Sequence, residues 1–197
     1  MDFRRIRFPD GNLIVVAVDI CSSSDIMEQL LVQGEIDQYH TLIGKLKERL
    51  AEFQLGGMIF DPYKFMGDGW ILLFDPNTKG YQLLTFMRSL CEYYKGAFER
   101  IMRLEVRPAD TGIKFGIDIG QISRTKIFQI DEYVGRPINV ACRLQGATER
   151  PYQALVTSRA FARLSPVDGY KVTNETRNLR NINDGADFPC MQITLME

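Results

Sequence analysis

Residues 12–20 read NLIVVAVDI, an unbroken run of apolar and β-branched residues of strand length that ends on a carboxylate at Asp19. A run without polar alternation is the pattern of a strand covered on both faces. From Asp25 onward the period changes. Tyr39, Leu42, Ile43, Leu46, Leu50 and Phe53 recur at three- and four-residue spacing, which predicts one long helix ending near Gly56 and Gly57. Two short apolar runs, MIFDPYKF and WILLF, flank Gly67-Asp68-Gly69, the composition of a tight hairpin turn. A second helix is expected from about Thr78 to Met102. GIKFGIDIGQISRTKIF reads as two further strands, and a helix opens at GRPINVACRLQGA, with Pro137 suited to its first turn. Strand, helix, hairpin, helix, strand, strand, helix is an α+β order, with helices covering one face of a mostly antiparallel sheet.

Composition narrows the functional classes. A chain of 197 residues is expected to form one domain, spanning residues 1–197. Its 24 basic and 25 acidic side chains give no basic excess, so nucleic-acid binding is not expected. The apolar run from Leu13 to Val18 is too short for a signal core, and no segment reaches the length of a membrane span. A cytoplasmic protein without membrane contact is the expectation. Cys21, Cys91, Cys142 and Cys190 form no C-x-x-C pair, which argues against zinc and against a disulfide framework. The one histidine, His40, falls on a helix, so chemistry must run on carboxylates, arginine, lysine or a bound metal ion.

The carboxylates are placed for that. If the strand ending at Asp19 and the hairpin turning on Asp68 are neighbours, both acids stand at one end of the sheet. Close carboxylates repel unless a positive charge lies between them, and Mg²⁺ or Mn²⁺ with oxygen ligands is the usual resolution. Two unrelated turn carboxylates are the plain alternative. Asn139 and Arg143 lie four residues apart and share a helix face, suited to orienting a sugar and neutralising a phosphorus transition state. An ordinary solvated helix face is the alternative there.

Three stretches together resemble the catalytic domain of the class III nucleotide cyclases, the adenylate and guanylate cyclase family. VAVDI is similar to that family's strand ending in Asp-Ile. Lys64-Phe65-Met66-Gly67-Asp68 resembles its Lys-x-x-Gly-Asp hairpin, and Gly135 through Arg143 resembles its Gly-x-x-Val-Asn-x-Ala-x-Arg segment. The similarity runs from about Leu13 to Leu195. It implies a ferredoxin-like, palm-type fold and a pair of divalent ions, Mn²⁺ or Mg²⁺, held by Asp19, Asp68 and the backbone carbonyl of Ile20. It also implies that Asn139 orients the ribose of a nucleoside triphosphate, that Arg143 stabilises the transferring phosphoryl group, and that Lys64 and Glu132 select the base. Arg180 is the candidate for the terminal phosphate. The family's sites are shared across a head-to-tail homodimer, so the same assembly is implied here.

Where the family has a Gly-Phe-Thr-like turn, this chain has Cys21-Ser22-Ser23-Ser24, whose N–H groups and hydroxyls are expected to cradle phosphate oxygens. A catalytic unit without sensor or membrane segments resembles the pyrimidine cyclases of the bacterial anti-phage system called Pycsar. That implies cyclic UMP, or less readily cyclic CMP, as product, and a separate effector protein that the product activates. Lys64 and Glu132 offer one donor and one acceptor, which adenine, cytosine, uracil and guanine all match in part. Phe60, expected on the face of Lys64, would shorten the pocket for a one-ring base. Adenylate or guanylate cyclase is the nearest alternative. A non-catalytic nucleotide-binding module would be expected to lack one of Asp19, Asp68, Asn139 and Arg143, and a diguanylate cyclase would carry a Gly-Gly-Asp/Glu-Glu-Phe signature that is absent.

Overall fold

A computed structural model describes residues 4–164, 167–182 and 187–196. In chain order the elements are β1 (Gly11–Cys21), α1 (Ser23–Gln33), α2 (Asp37–Leu55), β2 (Phe60–Phe65), β3 (Gly69–Phe74) and α3 (Gly80–Ile101). There follow β4 (Gly112–Ile127), β5 (Ile130–Val134), α4 (Arg136–Ala147), β6 (Gln153–Thr157), α5 (Ser158–Leu164), β7 (Lys171–Asn178) and β8 (Asp187–Thr194). The sheet runs β2-β3-β1-β4-β6-β8-β7, with β5 extending β4 as a hairpin. All pairings are antiparallel except β4 with β6. The expected α+β fold with a mostly antiparallel sheet is what the chain adopts.

β1 is central and buried on both faces, as its unbroken apolar run requires. Ile14, Val16, Val18 and Ile20 pack toward α1, α2, α3 and α5, while Leu13, Val15 and Ala17 pack on the other side with Phe8, Tyr63, Ile71 and Ala141. Helices therefore cover both faces, a correction to the one-sided arrangement expected: α4 lies on the second. Gly116 permits this, because a Cβ there would stand 2.0 Å from the Ala141 carbonyl oxygen.

Two further expectations change. The long helix is two helices, because Gly34 adopts a left-handed conformation that caps α1 and accepts the reversal into α2. The two strands expected from Gly112 to Phe128 are one strand of 16 residues. Its first part pairs with β1 and β6, and its last part pairs with β5. Among the described residues no helix is long and apolar enough to cross a membrane.

Candidate active site

The register of β1 brings the two acids together. Asp19 pairs with Gly69 on one side and with Lys114 on the other. The backbone N–H of Ile20 donates to the Asp68 carbonyl at 3.2 Å, which ties the hairpin tip to the end of β1. The two glycines around Asp68 now have separate explanations. Gly67 turns the chain at φ +96°, and Gly69 lies so close to β1 that a Cβ would meet the Val18 carbonyl oxygen at 2.0 Å.

Each carboxylate is held by a neutral donor. Gln145 Nε2 donates to Asp19 Oδ2 at 2.8 Å, and Ser23 Oγ donates to Asp68 Oδ2 at 2.5 Å. Lys114 Nζ lies 3.8 Å from Asp19 Oδ2. Burial, and then the negative charge of Asp68, push the Asp19 pKa from its ordinary 3.8 to about 6. The nearby lysine only partly offsets this. Tyr39 adds a buried hydroxyl with no hydrogen-bond partner among the described residues. Burial, Asp68 and Asp19 together hold its pKa far above the usual tyrosine value.

This donor set fits a hard divalent cation: paired carboxylates whose mutual repulsion Lys114 relieves only in part, followed in sequence by the Ile20 carbonyl. Among the described residues no group of three or more His, Cys, Asp or Glu side chains forms a metal cluster. Two carboxylates completed by substrate phosphates are nonetheless a normal Mg²⁺ arrangement.

The Cys-Ser-Ser-Ser turn sits beside the acids. Cys21 is buried, and burial raises its thiol pKa to about 11, so its side chain is neutral and does not face a ligand. Ser22 has a left-handed backbone, and its Oγ donates to the Asp110 carbonyl at 3.3 Å. Ser23 is committed to Asp68, and Ser24 is exposed. The first helical bond of α1 runs from the Ile26 N–H to the Ser22 carbonyl. The preceding N–H groups of that turn therefore lack intrahelical partners and form a start suited to an anion.

Lys64 and Glu132, 68 positions apart in sequence, lie side by side, with Lys64 Nζ 3.7 Å from Glu132 Oε1. Phe60 does not join them. A register shift between Asp61 and Lys64 breaks the two-residue alternation of β2. Phe60 consequently turns into the core, fully buried, with its ring stacked on Phe74 at 5.0 Å and tilted against Phe86 at 5.7 Å. It cannot shorten a base pocket from there.

Asn139 and Arg143 are exposed on α4, and neither forms a hydrogen bond or ion pair among the described residues. Val140, Ala141, Leu144 and Gln145 form the buried side of that helix. Arg143 and Gln145 are two residues apart, roughly 200° around the helix. The residue that touches Asp19 and the exposed arginine thus point in opposite directions. Arg180 is exposed beyond the end of β7, the far edge strand. Following the pairings from the end of β1 through β4, β6 and β8, the end of β7 lies at the opposite end of the sheet from Asp19. Within one chain Arg180 is therefore not part of the cluster. His40 is a surface residue 3.6 Å from Asp37.

Sequence reasoning missed Gln145, Lys114, Tyr39 and the Ser23 hydroxyl bond to Asp68. All four reach the acids through tertiary pairing, and no motif marks them. It also missed two buried acids: Asp61, paired with Arg5, and Asp118, paired with Arg159. A cavity of about 580 Å³ between α2 and α3, lined by Phe53, Met58 and Tyr81, contains none of the candidate residues.

No protein-family model and no curated protein matches the sequence. Solved structures do match the fold. The adenylyl cyclase CyaB from P. aeruginosa aligns with a TM-score of 0.72 at 16% identity, over 95% of this chain and 96% of that one. The guanylyl cyclase Cya2 aligns at 0.66 and 18% identity, over 98% and 93%. An adenylate cyclase from Trypanosoma brucei, in its monomeric state, aligns at 0.67 and 17% identity, over 96% and 92%. The chain has the class III nucleotide cyclase fold.

Proposed function

We propose that the chain is a nucleotide cyclase, converting a ribonucleoside triphosphate to its 3′,5′-cyclic monophosphate and pyrophosphate. The observation that carries this reading is the pairing of Asp19 and Asp68 at one end of the sheet, beside the open first turn of α1. In the reaction the ribose 3′-oxygen bonds to the α-phosphorus, the hydroxyl proton is lost, and the bond to the β-phosphate oxygen breaks. Asp19, Asp68 and the Ile20 carbonyl would hold two divalent ions, Mg²⁺ or Mn²⁺, which supply activation of the hydroxyl and neutralisation of the phosphates. The free N–H groups after Cys21 meet phosphate oxygens, and Lys64 with Glu132 reads the base edge.

Asn139 and Arg143 act in this reading from a second chain. They form a free polar stripe turned away from their own Asp19, so a complete site needs the partner's α4. The β4–β5 hairpin supports a contact between copies: Phe128 at its tip is 93% exposed, with Ile127, Ile130 and Val134 exposed beside it. A two-fold dimer would repeat the site twice.

The pyrimidine preference, with UTP ahead of CTP, and a place in anti-phage signalling through a separate effector rest on the resemblance to the Pycsar enzymes. With Phe60 in the core, nothing in the base site favours one ring over two. Adenylate cyclase is the second reading, because adenine also presents one donor beside one acceptor to Lys64 and Glu132. Purified protein incubated with each of the four ribonucleoside triphosphates and Mn²⁺, with products identified by mass spectrometry, tests both. A cyclic monophosphate from at least one is expected, and none from any would overturn the reading.

A further inference from the structure

The acceptor of the base-reading pair is itself fixed. Tyr63, the neighbour of Lys64 on β2, donates its hydroxyl to Glu132 Oε2 and accepts the backbone N–H of Tyr133 at 3.2 Å. The Tyr63 ring is nearly buried and meets Tyr133 edge-on at 5.2 Å. Tyr133 in turn donates its hydroxyl to the Phe8 carbonyl at 3.1 Å. Burial, followed by the bond to Glu132, pushes the Tyr63 pKa to about 12, so the hydroxyl remains a donor at any working pH. One lone pair of Glu132 Oε2 is therefore taken by Tyr63, and Oε1 is the oxygen that faces Lys64, at 3.7 Å.

We propose that Tyr63 is a positioning residue that makes Glu132 a one-oxygen acceptor and thereby discriminates against guanine. This rests on the nucleotide cyclase reading. Adenine, cytosine and uracil each present one N–H donor beside one acceptor, matching Oε1 and the Lys64 ammonium. Guanine presents the same acceptor-donor pair through O6 and N1–H, and adds N2–H as a second donor, complementary to the other oxygen of a free carboxylate. With Oε2 already accepting from Tyr63, that second donor gains no carboxylate bond in exchange for its water, a loss of about tenfold in binding relative to a free carboxylate. The β2 register shift allows this arrangement, because it lets the adjacent residues Tyr63 and Lys64 both reach Glu132.

The test is Tyr63→Phe, which removes the hydroxyl and keeps the ring. The value of kcat/KM for GTP, relative to the best of the other three triphosphates, should rise about tenfold. The change should appear mainly in KM for GTP, with kcat on the best substrate within about threefold of wild type. A ratio that moves by less than about threefold in a cooperatively melting variant overturns the proposal. Should the unpaired Tyr133 N–H prevent Tyr63→Phe from folding, Glu132→Gln decides. If Tyr63 donates to the amide oxygen, the amide N–H₂ is the group turned toward Lys64 and the base, and kcat/KM for the best substrate should fall at least about tenfold; an amide that is not held turns its oxygen to the base, and a fall below about threefold overturns the idea. A wild-type protein that cyclises no triphosphate removes the cyclase reading separately. The variants are then compared by equilibrium binding of GTP against ATP, CTP and UTP, and an unchanged binding ratio, or no binding, overturns the role of Tyr63.

Discussion

Gln145 Nε2 donates to Asp19 Oδ2 across 2.8 Å, joining α4 to the end of β1 over 126 positions of sequence. The bond fixes one carboxylate oxygen and the rotamer of Asp19, and it does so with a neutral amide that does not compete as a cation.

Removing it should therefore loosen the proposed metal site without dismantling it. Gln145→Ala is expected to raise the Mn²⁺ concentration for half-maximal turnover by about 10- to 100-fold, the usual effect of losing a residue that orients a ligand. Turnover at saturating Mn²⁺ should fall far less. Titrating activity against Mn²⁺ separates the two, and an unchanged midpoint would show that Asp19 needs no such support.

Without divalent ions, Asp19 should make the fold sensitive to pH in a direction opposite to most acids. Burial and Asp68 raise its pKa in the folded chain from 3.8 to about 6, so the folded state binds the proton more tightly than the unfolded state. Its contribution to stability is fully present below about pH 4 and is lost as pH rises through about 6. Melting temperatures across pH 4 to 7 in EDTA, wild type against Asp19→Asn, should show this fall in the wild type only. Adding Mn²⁺ at pH 7 should raise the wild-type melting temperature by mass action, and the variant much less.

Arg143 is exposed and unpaired in one chain, so its removal should leave stability nearly untouched. Arg143→Ala is expected to lower kcat by about 10² to 10³, the typical loss of one preorganised contact to a transition state, with a melting temperature close to wild type. A loss below about fivefold would return Arg143 to an ordinary solvated helix face.

Those residues differ in how readable they were. Asp19 and Asp68 stand at a strand end and a turn flanked by glycines, where local sequence alone marks the position. Asn139 and Arg143 are readable because helix spacing fixes their common face. Gly34 was passed over because apolar periodicity resumes immediately after it, so two helices read as one. The run from Gly112 to Phe128 reads as two strands but forms one, in which Gly116 admits the close approach of α4. Phe60 was assigned to the face of Lys64 by strict alternation, and only the register shift in β2 reverses that. The partnerships Gln145–Asp19, Lys114–Asp19 and Tyr63–Glu132 depend on which strands and helices become neighbours, which no local pattern encodes.

The opposed directions of Gln145 and Arg143 on α4 give the sharpest test of assembly. If each site takes Asp19 and Asp68 from one chain and Arg143 from the other, neither an Asp68→Asn homodimer nor an Arg143→Ala homodimer contains an intact site. Asp68 is half-buried at a hairpin tip, outside the apolar core, so its substitution should abolish turnover while the chain still melts cooperatively. In a mixed dimer one site combines both damaged residues, and the other is wild type throughout, as two-fold symmetry requires. With random exchange about half the dimers are mixed and each has one of two sites working, so roughly a quarter of wild-type activity should return. Exchange is followed with two affinity tags, and the doubly tagged fraction, which is all mixed dimers, should carry about half of wild-type activity per dimer. Inactive mixed dimers would mean that Arg143 serves the acids of its own chain, which would require α4 to rotate by about half a turn and give up the Gln145–Asp19 bond.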